Sequence, residues 1–278
     1  MADMLAEIVA RKRGEVERRL RHRGLVSGAS GADLRAGAAG LSGGEVLNDR
    51  GAAAVRRLRR GADEALQVIA EVKRRSPSAG LIRPWARGDV ARIACTYERA
   101  GAAAISVLCD RPGFGGSPLD LRRAAAVVEV PLLFKEFVVH RHQVQLARAM
   151  GAAMVLLLVR VLSQPELVAL VRACTEAGLA PVVEAADAQE LTRALDTEAT
   201  IVGVNARDLR SFSVDLGEAA ELVERIPRER VAVFMSGIST PQRFAQVAAG
   251  RADAVLIGEA LMRGDDPGAR LAELRAAL

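Results

Sequence analysis

Lysine is almost missing from this chain. Of 39 basic residues in 278, only Lys12, Lys73 and Lys135 are lysine, and the remainder are arginine. Cysteine, histidine and aromatic residues are also scarce. Cys95, Cys109 and Cys174 show no CxxC spacing, which argues against a disulfide framework or a thiolate zinc site and fits a reducing compartment. His22, His140 and His142 form no metal-binding pattern, and the His140-x-His142 pair falls where a helix is expected to begin, exposed. The longest apolar run, Ala152 to Val159, is too short to cross a bilayer. The N-terminus is charged and carries no apolar signal core, so a cytoplasmic protein without a membrane partner is expected.

The formal charge is +5 and the pI about 9.7. Such an excess suits nucleic acid or a small anion. The arginines are spread over helical faces with no aromatic residues between them, so no nucleic-acid partner is expected. The densest cluster, Arg56-Arg57-Leu58-Arg59-Arg60, reads as a solvated helix face.

From residue 68 onward, short apolar runs alternate with amphipathic segments. The runs cover 68–73, 104–109, 131–135, 153–158, 181–184, 201–205, 231–236 and 254–257. They alternate little, as strands buried on both faces do. The intervening segments have helical spacing, as in 163–177, where Leu167, Leu170, Val171 and Cys174 share a face. Eight strands alternating with helices predict a parallel α/β architecture, and eight is the number that closes a (β/α)8 TIM barrel. A doubly wound open sheet is the alternative. Ahead of the barrel, 2–21 reads as an amphipathic helix, 24–44 as a loop and 48–66 as helical again. Residues 1–67 are therefore expected to be an N-terminal helical extension of a single 1–278 barrel domain.

A barrel's chemistry sits at the C-terminal ends of its strands. Those ends carry Glu71 and Lys73, then Cys109-Asp110, Lys135, Glu184, Asn205, Ser236-Gly237 and Gly258. Glu71 and Lys73 are two apart, so both point to the same side of a strand. An ammonium at a buried strand end is costly to desolvate, and its pKa can move in a way a guanidinium's does not. A structural ion pair accounts for any one of these groups. Two carboxylates and two ammonium groups meeting at one mouth suggest proton transfer. Glycines in the seventh and eighth strand-to-helix loops, Gly237 and Gly258, suit a phosphate cradle of backbone N–H groups, with Ser76 and Arg75 able to complete its shell. Phe114 and Phe137 could form a slot for a planar ring; core packing is the competing explanation for each.

The strings Glu71-Val72-Lys73-Arg74-Arg75-Ser76-Pro77-Ser78, Phe134-Lys135-Glu136-Phe137, Val183-Glu184, 203–209 (Gly-Val-Asn-Ala-Arg-Asp-Leu), Ser236-Gly237-Ile238 and 257–262 (Ile-Gly-Glu-Ala-Leu-Met) resemble indole-3-glycerol phosphate synthase. The similarity runs from Leu5 to the end and is weakest between about residues 22 and 66. The resemblance implies closure of 1-(2-carboxyphenylamino)-1-deoxyribulose 5-phosphate to indole-3-glycerol phosphate, carbon dioxide and water, in tryptophan biosynthesis, with no cofactor. It implies Lys135 as general acid and Glu184 as general base, with Lys73 holding the substrate carboxylate and Glu71 orienting Lys73. By the same resemblance Asn205 and Arg207 contact polar groups of the substrate. Ser76, Ser236, Gly237, Gly258 and Glu259 form its phosphate site, and Phe114 and Phe137 flank its ring. A monomer or weak homodimer is expected.

One departure stands out. The family usually carries Glu-Ser-Gly where this chain has Met235-Ser236-Gly237. The missing carboxylate would leave the mouth more positive and is expected to depress the lysine pKa values. It motivates two alternatives: a related barrel enzyme acting on a variant phosphosugar–anthranilate substrate, or a catalytically silent phospholigand-binding protein. The segment 22–66 also lacks an aromatic residue common in the family.

Overall fold

The computed structural model describes residues 4–22, 50–61, 64–84, 86, 88–207 and 213–276. Eight parallel strands close into a barrel: β1 (Gln67–Val72), β2 (Ala104–Leu108), β3 (Leu132–Lys135), β4 (Met154–Leu158), β5 (Ala180–Ala185), β6 (Ile201–Asn205), β7 (Val231–Met235) and β8 (Ala254–Ile257). Closure runs through β1 and β8, with Val68 opposite Val255, which rules out the open sheet. The expected runs coincide with the strands to within a residue or so at each end. Twelve α-helices are described. They are α1 (Met4–His22), α2 (Arg50–Leu58), α3 (Asp89–Arg99), α4 (Arg111–Phe114), α5 (Pro118–Ala125), α6 (Arg141–Ala149), α7 (Gln164–Glu176), α8 (Ala188–Leu195), α9 (Leu216–Glu224), α10 (Pro241–Ala248), α11 (Glu259–Met262) and α12 (Pro267–Arg275).

Strand alternation sorts the apolar residues into two cores. Ile69, Leu133, Met154, Val182, Ile201, Val233 and Leu256 fill the barrel interior. Val68, Phe134, Val155, Val183 and Val204 point outward and pack against helix faces carrying Leu121, Val144, Leu167, Leu191, Phe244 and Leu271. Each fully buried aliphatic side chain stabilises the fold by roughly 1.5–3 kcal/mol, so the long β-branched runs are the main reason the sheet forms.

The two N-terminal helices cover opposite ends of the barrel. The stripe of α1 buries Leu5, Ile8, Val16 and Leu20, and Leu5 and Ile8 reach the mouth. At the other end, Ala54 and Leu58 of α2 cluster with Ala103, Ala104, Ala153, Ala180 and Ala254, where the strands begin. These small residues let the helix come close. Gly51 donates its N–H to Gly178 O at 3.1 Å, and a Cβ at position 51 would lie 2.6 Å from Ala180 N.

Several expectations need correction. The second helix ends at Leu58 and does not run to residue 66, because Arg59 and Arg60 turn to serve backbone acceptors on the barrel base. The arginine cluster is therefore only partly a solvated face: Leu58 is fully buried, and Arg60 donates to Ala248 O at 2.8 Å. His140 and His142 are half-buried, since His140 caps α6 and its Nδ1 accepts from His142 N at 3.1 Å. A short hairpin, Arg75–Ser76 against Gly80–Leu81, follows β1 and was not anticipated. Most of 22–66, including the loop expected at 24–44, lies outside the described residues. No described helix is long and apolar enough to cross a membrane.

Candidate active site

The mouth holds two linked ion pairs. Lys73 Nζ stands 2.9 Å from Glu71 Oε1, and Lys135 Nζ stands 3.2 Å from Glu184 Oε2. Both pairs arise from the inward side of strand ends, as the two-residue period requires. Asn205, at the end of β6, donates from Nδ2 to Glu184 Oε1 at 2.8 Å and accepts from Arg207 N at 3.0 Å. Arg207 in turn stands 3.9 Å from Glu259. Ser106 donates to Glu71 Oε2 at 3.3 Å, and the buried Tyr97 hydroxyl supports the Glu71 carbonyl from outside the barrel at 3.4 Å.

Burial would raise the Glu71 carboxyl, but the charges of Lys73 and Lys135 and the hydrogen bonds from Lys73 and Ser106 hold it below its ordinary value. Burial would lower Lys135, yet Glu184, then Glu71, outweigh it and leave that lysine raised. The expected depression of the lysines is thus reversed at Lys135: two flanking carboxylates outweigh burial and any loss of charge at position 235. Met235 does point inward, but it is fully buried, and its Sδ lies 3.0 Å from where a Cβ of Gly203 would sit. It fills the space that glycine leaves and is no part of the cavity wall.

An open cavity lies over these groups. Of the residues singled out in the sequence, Glu71, Lys73, Ser76, Phe114, Lys135, Phe137, Glu184, Asn205, Arg207, Ser236 and Glu259 line it together. Gly237 and Gly258 do not line it themselves but adjoin lining residues. Ser236 and Gly237 both have left-handed backbone, with φ of 69° and 79°; for the serine this is uncommon, and it turns the end of β7 sharply. Gly258 has a reason to be glycine that the sequence did not reveal: a Cβ there would meet the Glu71 carboxyl group. Arg75 does not reach the cavity. It is exposed and lies along Gly115, because the hairpin turns its side chain away. Phe114 and Phe137 are paired, with ring centres 6.2 Å apart and planes at 42°. Asp208 and Leu209 of the Asn-x-Arg-Asp-Leu string lie outside the described residues.

Asp110 and Leu158, both at strand ends, line it too, whereas Met4, Leu5 and Ile8 from α1, and Leu108, Glu136, Leu156 and Leu256 were not anticipated. The apolar stripe of α1 was legible, but nothing in its period indicates that it faces a cavity and not a core. Ser106 was hidden in a continuous apolar strand. Among the described residues no group of three or more His, Cys, Asp and Glu is arranged to hold a metal ion.

The closed barrel and its paired lysine–glutamate mouth define a barrel enzyme equipped for proton transfer on an anionic substrate. Residues 5–274 match the family model for indole-3-glycerol phosphate synthase, and the chain belongs to that family. It is 39% identical to the indole-3-glycerol phosphate synthase of Leptothrix cholodnii over 276 residues, 99% of this chain and 100% of that one. It is 46% identical to that of Parafrankia sp. (strain EAN1pec) over 209 residues, 75% of this chain and 77% of that one. Among solved structures, the tryptophan synthase alpha chain from Legionella pneumophila superposes with a TM-score of 0.58 at 16% identity, covering 82% of this chain and 96% of that one, a likeness of fold alone.

Proposed function

We propose that this protein is an indole-3-glycerol phosphate synthase in which Lys135 is the general acid and Glu184 the general base. The substrate is 1-(2-carboxyphenylamino)-1-deoxyribulose 5-phosphate. The aryl carbon bearing the carboxylate attacks the ketone, and Lys135 delivers a proton to the oxygen as it becomes an alkoxide. That oxygen becomes far more basic than an amine, so a lysine raised above its ordinary value still transfers its proton. Breaking the bond to the carboxylate releases carbon dioxide and restores the aromatic ring. Glu184 then takes a proton from the methylene carbon next to the anilino nitrogen as the hydroxyl on the neighbouring carbon, protonated by the second acid, leaves as water, which forms the ring's last double bond. Lys73 holds the substrate carboxylate and is available as a second acid; Glu71 orients it.

The remaining lining residues, with the adjoining Gly237 and Gly258, fit the two ends of this substrate. Ser76, Ser236, Gly237, Gly258 and Glu259 receive the phosphate, the last mainly through its backbone. Phe114 and Phe137 flank the ring, and Asn205 and Arg207 hold polar groups between. The observation that carries this reading is the convergence of Lys135–Glu184–Asn205 and Glu71–Lys73 on one cavity. We read the protein further as cytoplasmic, a monomer or weak homodimer, acting on a small phosphosugar without nucleic acid.

Purified protein mixed with the carboxyphenylamino sugar phosphate should release carbon dioxide and generate indole absorbance in equal amounts. Saturable binding without either product would favour the silent binding protein. The variant-substrate alternative rests on Met235, which lines no part of the cavity. Met235→Glu is therefore expected not to raise kcat/KM for this substrate; a clear rise would restore position 235 as a lost functional carboxylate.

A further inference from the structure

The third lysine takes no part in the chemistry above, yet it is the most buried of the three. Lys12, on α1, is 5% exposed. Its Nζ stands 3.1 Å from Asp110 Oδ1, 3.2 Å from Glu136 Oε2 and 3.1 Å from Glu15 Oε2. Two of these carboxylates have a second task. Asp110 accepts from Gly113 N at 2.8 Å and so caps α4, the short turn that ends in Phe114. Glu136 accepts from Phe137 N at 2.8 Å, and the Phe137 carbonyl is held from α6 by Gln143 Nε2 at 2.9 Å. A single ammonium therefore grips the two side chains that fix the backbone carrying both rings of the aromatic pair. The same helix sends Ile8 and Leu5, about one and two turns before Lys12, into the cavity beside those rings.

We propose that Lys12 is a positioning residue that sets the aromatic slot, and through it the aryl end of the substrate, without touching the reacting atoms. This rests on Phe114 and Phe137 flanking the ring, as read above. Removing the ammonium would leave Asp110, Glu136 and Glu15 facing one another with Arg11 alone, whose guanidinium stands 3.6 Å from Asp110. The ties that hold α1 to α4 and to the loop after β3 would then be gone, and the slot would open. The phosphate end is built mainly from the loops after β7 and β8, with Ser76 from the hairpin after β1, and none of these residues is hydrogen-bonded or ion-paired to Lys12, Asp110 or Glu136.

Titration calorimetry of Lys12→Met against two probes separates positioning from general stability. Anthranilate, the aryl half of the substrate, should bind about tenfold or more weaker, whereas inorganic phosphate should shift by less than about twofold. In a Phe114→Ala background, the Lys12→Met effect on anthranilate should shrink to less than about threefold, since the slot it sets is already lost. Should Lys12→Met not fold, the double variant Lys12→Met/Glu136→Gln, which removes one orphaned charge, carries the same expectations. Parallel loss of both probes, unchanged anthranilate affinity, full additivity with Phe114→Ala, or wild-type protein that binds phosphate but not anthranilate would each overturn the proposal. These readouts need no turnover, so they fail or succeed separately from the assignment of Lys135 and Glu184.

Discussion

The two ends of the barrel bury charge in opposite ways. At the base, Asp253 accepts from Ala232 N at 2.7 Å, Arg60 N at 3.2 Å and Arg251 Nη1 at 2.8 Å, while Arg251 also donates to Pro227 O and Arg230 O. Backbone groups supply most of these partners, and the cation is a guanidinium that stays charged. At the mouth, lysines pair with glutamates side chain to side chain, and the ammonium protons point at a cavity. On the roles proposed above, the base holds its protons and the mouth passes them on. A chain that uses arginine almost everywhere keeps lysine at three places around this mouth, two for which we propose contact with substrate and one for which we propose a hold on the walls.

The largest expected effect is at the proton carriers: Lys135→Ala or Glu184→Gln should lower kcat by about 10²-fold or more in steady-state assays, and a near-normal kcat in either would remove its role. Glu136 should make stability depend on pH. Burial first, then Asp110, raise its carboxyl from 4.5 to about 7, against the opposing pull of Lys12. A carboxyl raised in the folded state favours folding while it is protonated, so this stability is present below pH 4.5 and is lost as pH rises through about 7. The loss is on the order of 3 kcal/mol, and denaturant titrations of Glu136→Gln should show a flatter profile across that window. At the base, Arg251→Lys should cost about 1–2 kcal/mol, because an ammonium cannot span three acceptors, and should leave kcat unchanged. Smallest, Ser106→Ala should cost about 1 kcal/mol of transition-state stabilisation through the loss of one hydrogen bond to Glu71, read as a few-fold fall in kcat/KM.

Much of the fold was legible because a buried parallel strand leaves a plain trace. Runs such as 154–158 and 201–205 can be satisfied only by burial on both faces, and their count closes the barrel. The two lysine–glutamate pairs were legible because charge at the end of such a run is costly without a purpose. What the sequence concealed depended on three-dimensional closure. Lys12 sits in an amphipathic helix among arginines, and its burial follows from Asp110 and Glu136 arriving from elements about 100 residues away. Gly258 reads as a turn glycine, although Glu71 from the neighbouring strand takes the space of its Cβ. Met235 reads as a missing carboxylate at the mouth, yet Gly203 on the adjacent strand gives its thioether a place in the core. The 22–66 stretch and the ends of several helices carry no apolar period strong enough to fix their limits.

The central claim is that the mouth needs a cation able to release its proton, and Lys135→Arg tests it most directly. The substitution keeps the charge beside Glu184 while removing an acid that can titrate. In single-turnover experiments with the carboxyphenylamino sugar phosphate, the account predicts that this variant still binds substrate but releases carbon dioxide at least about 10²-fold more slowly than wild type. Carbon dioxide release at a near wild-type rate would contradict it.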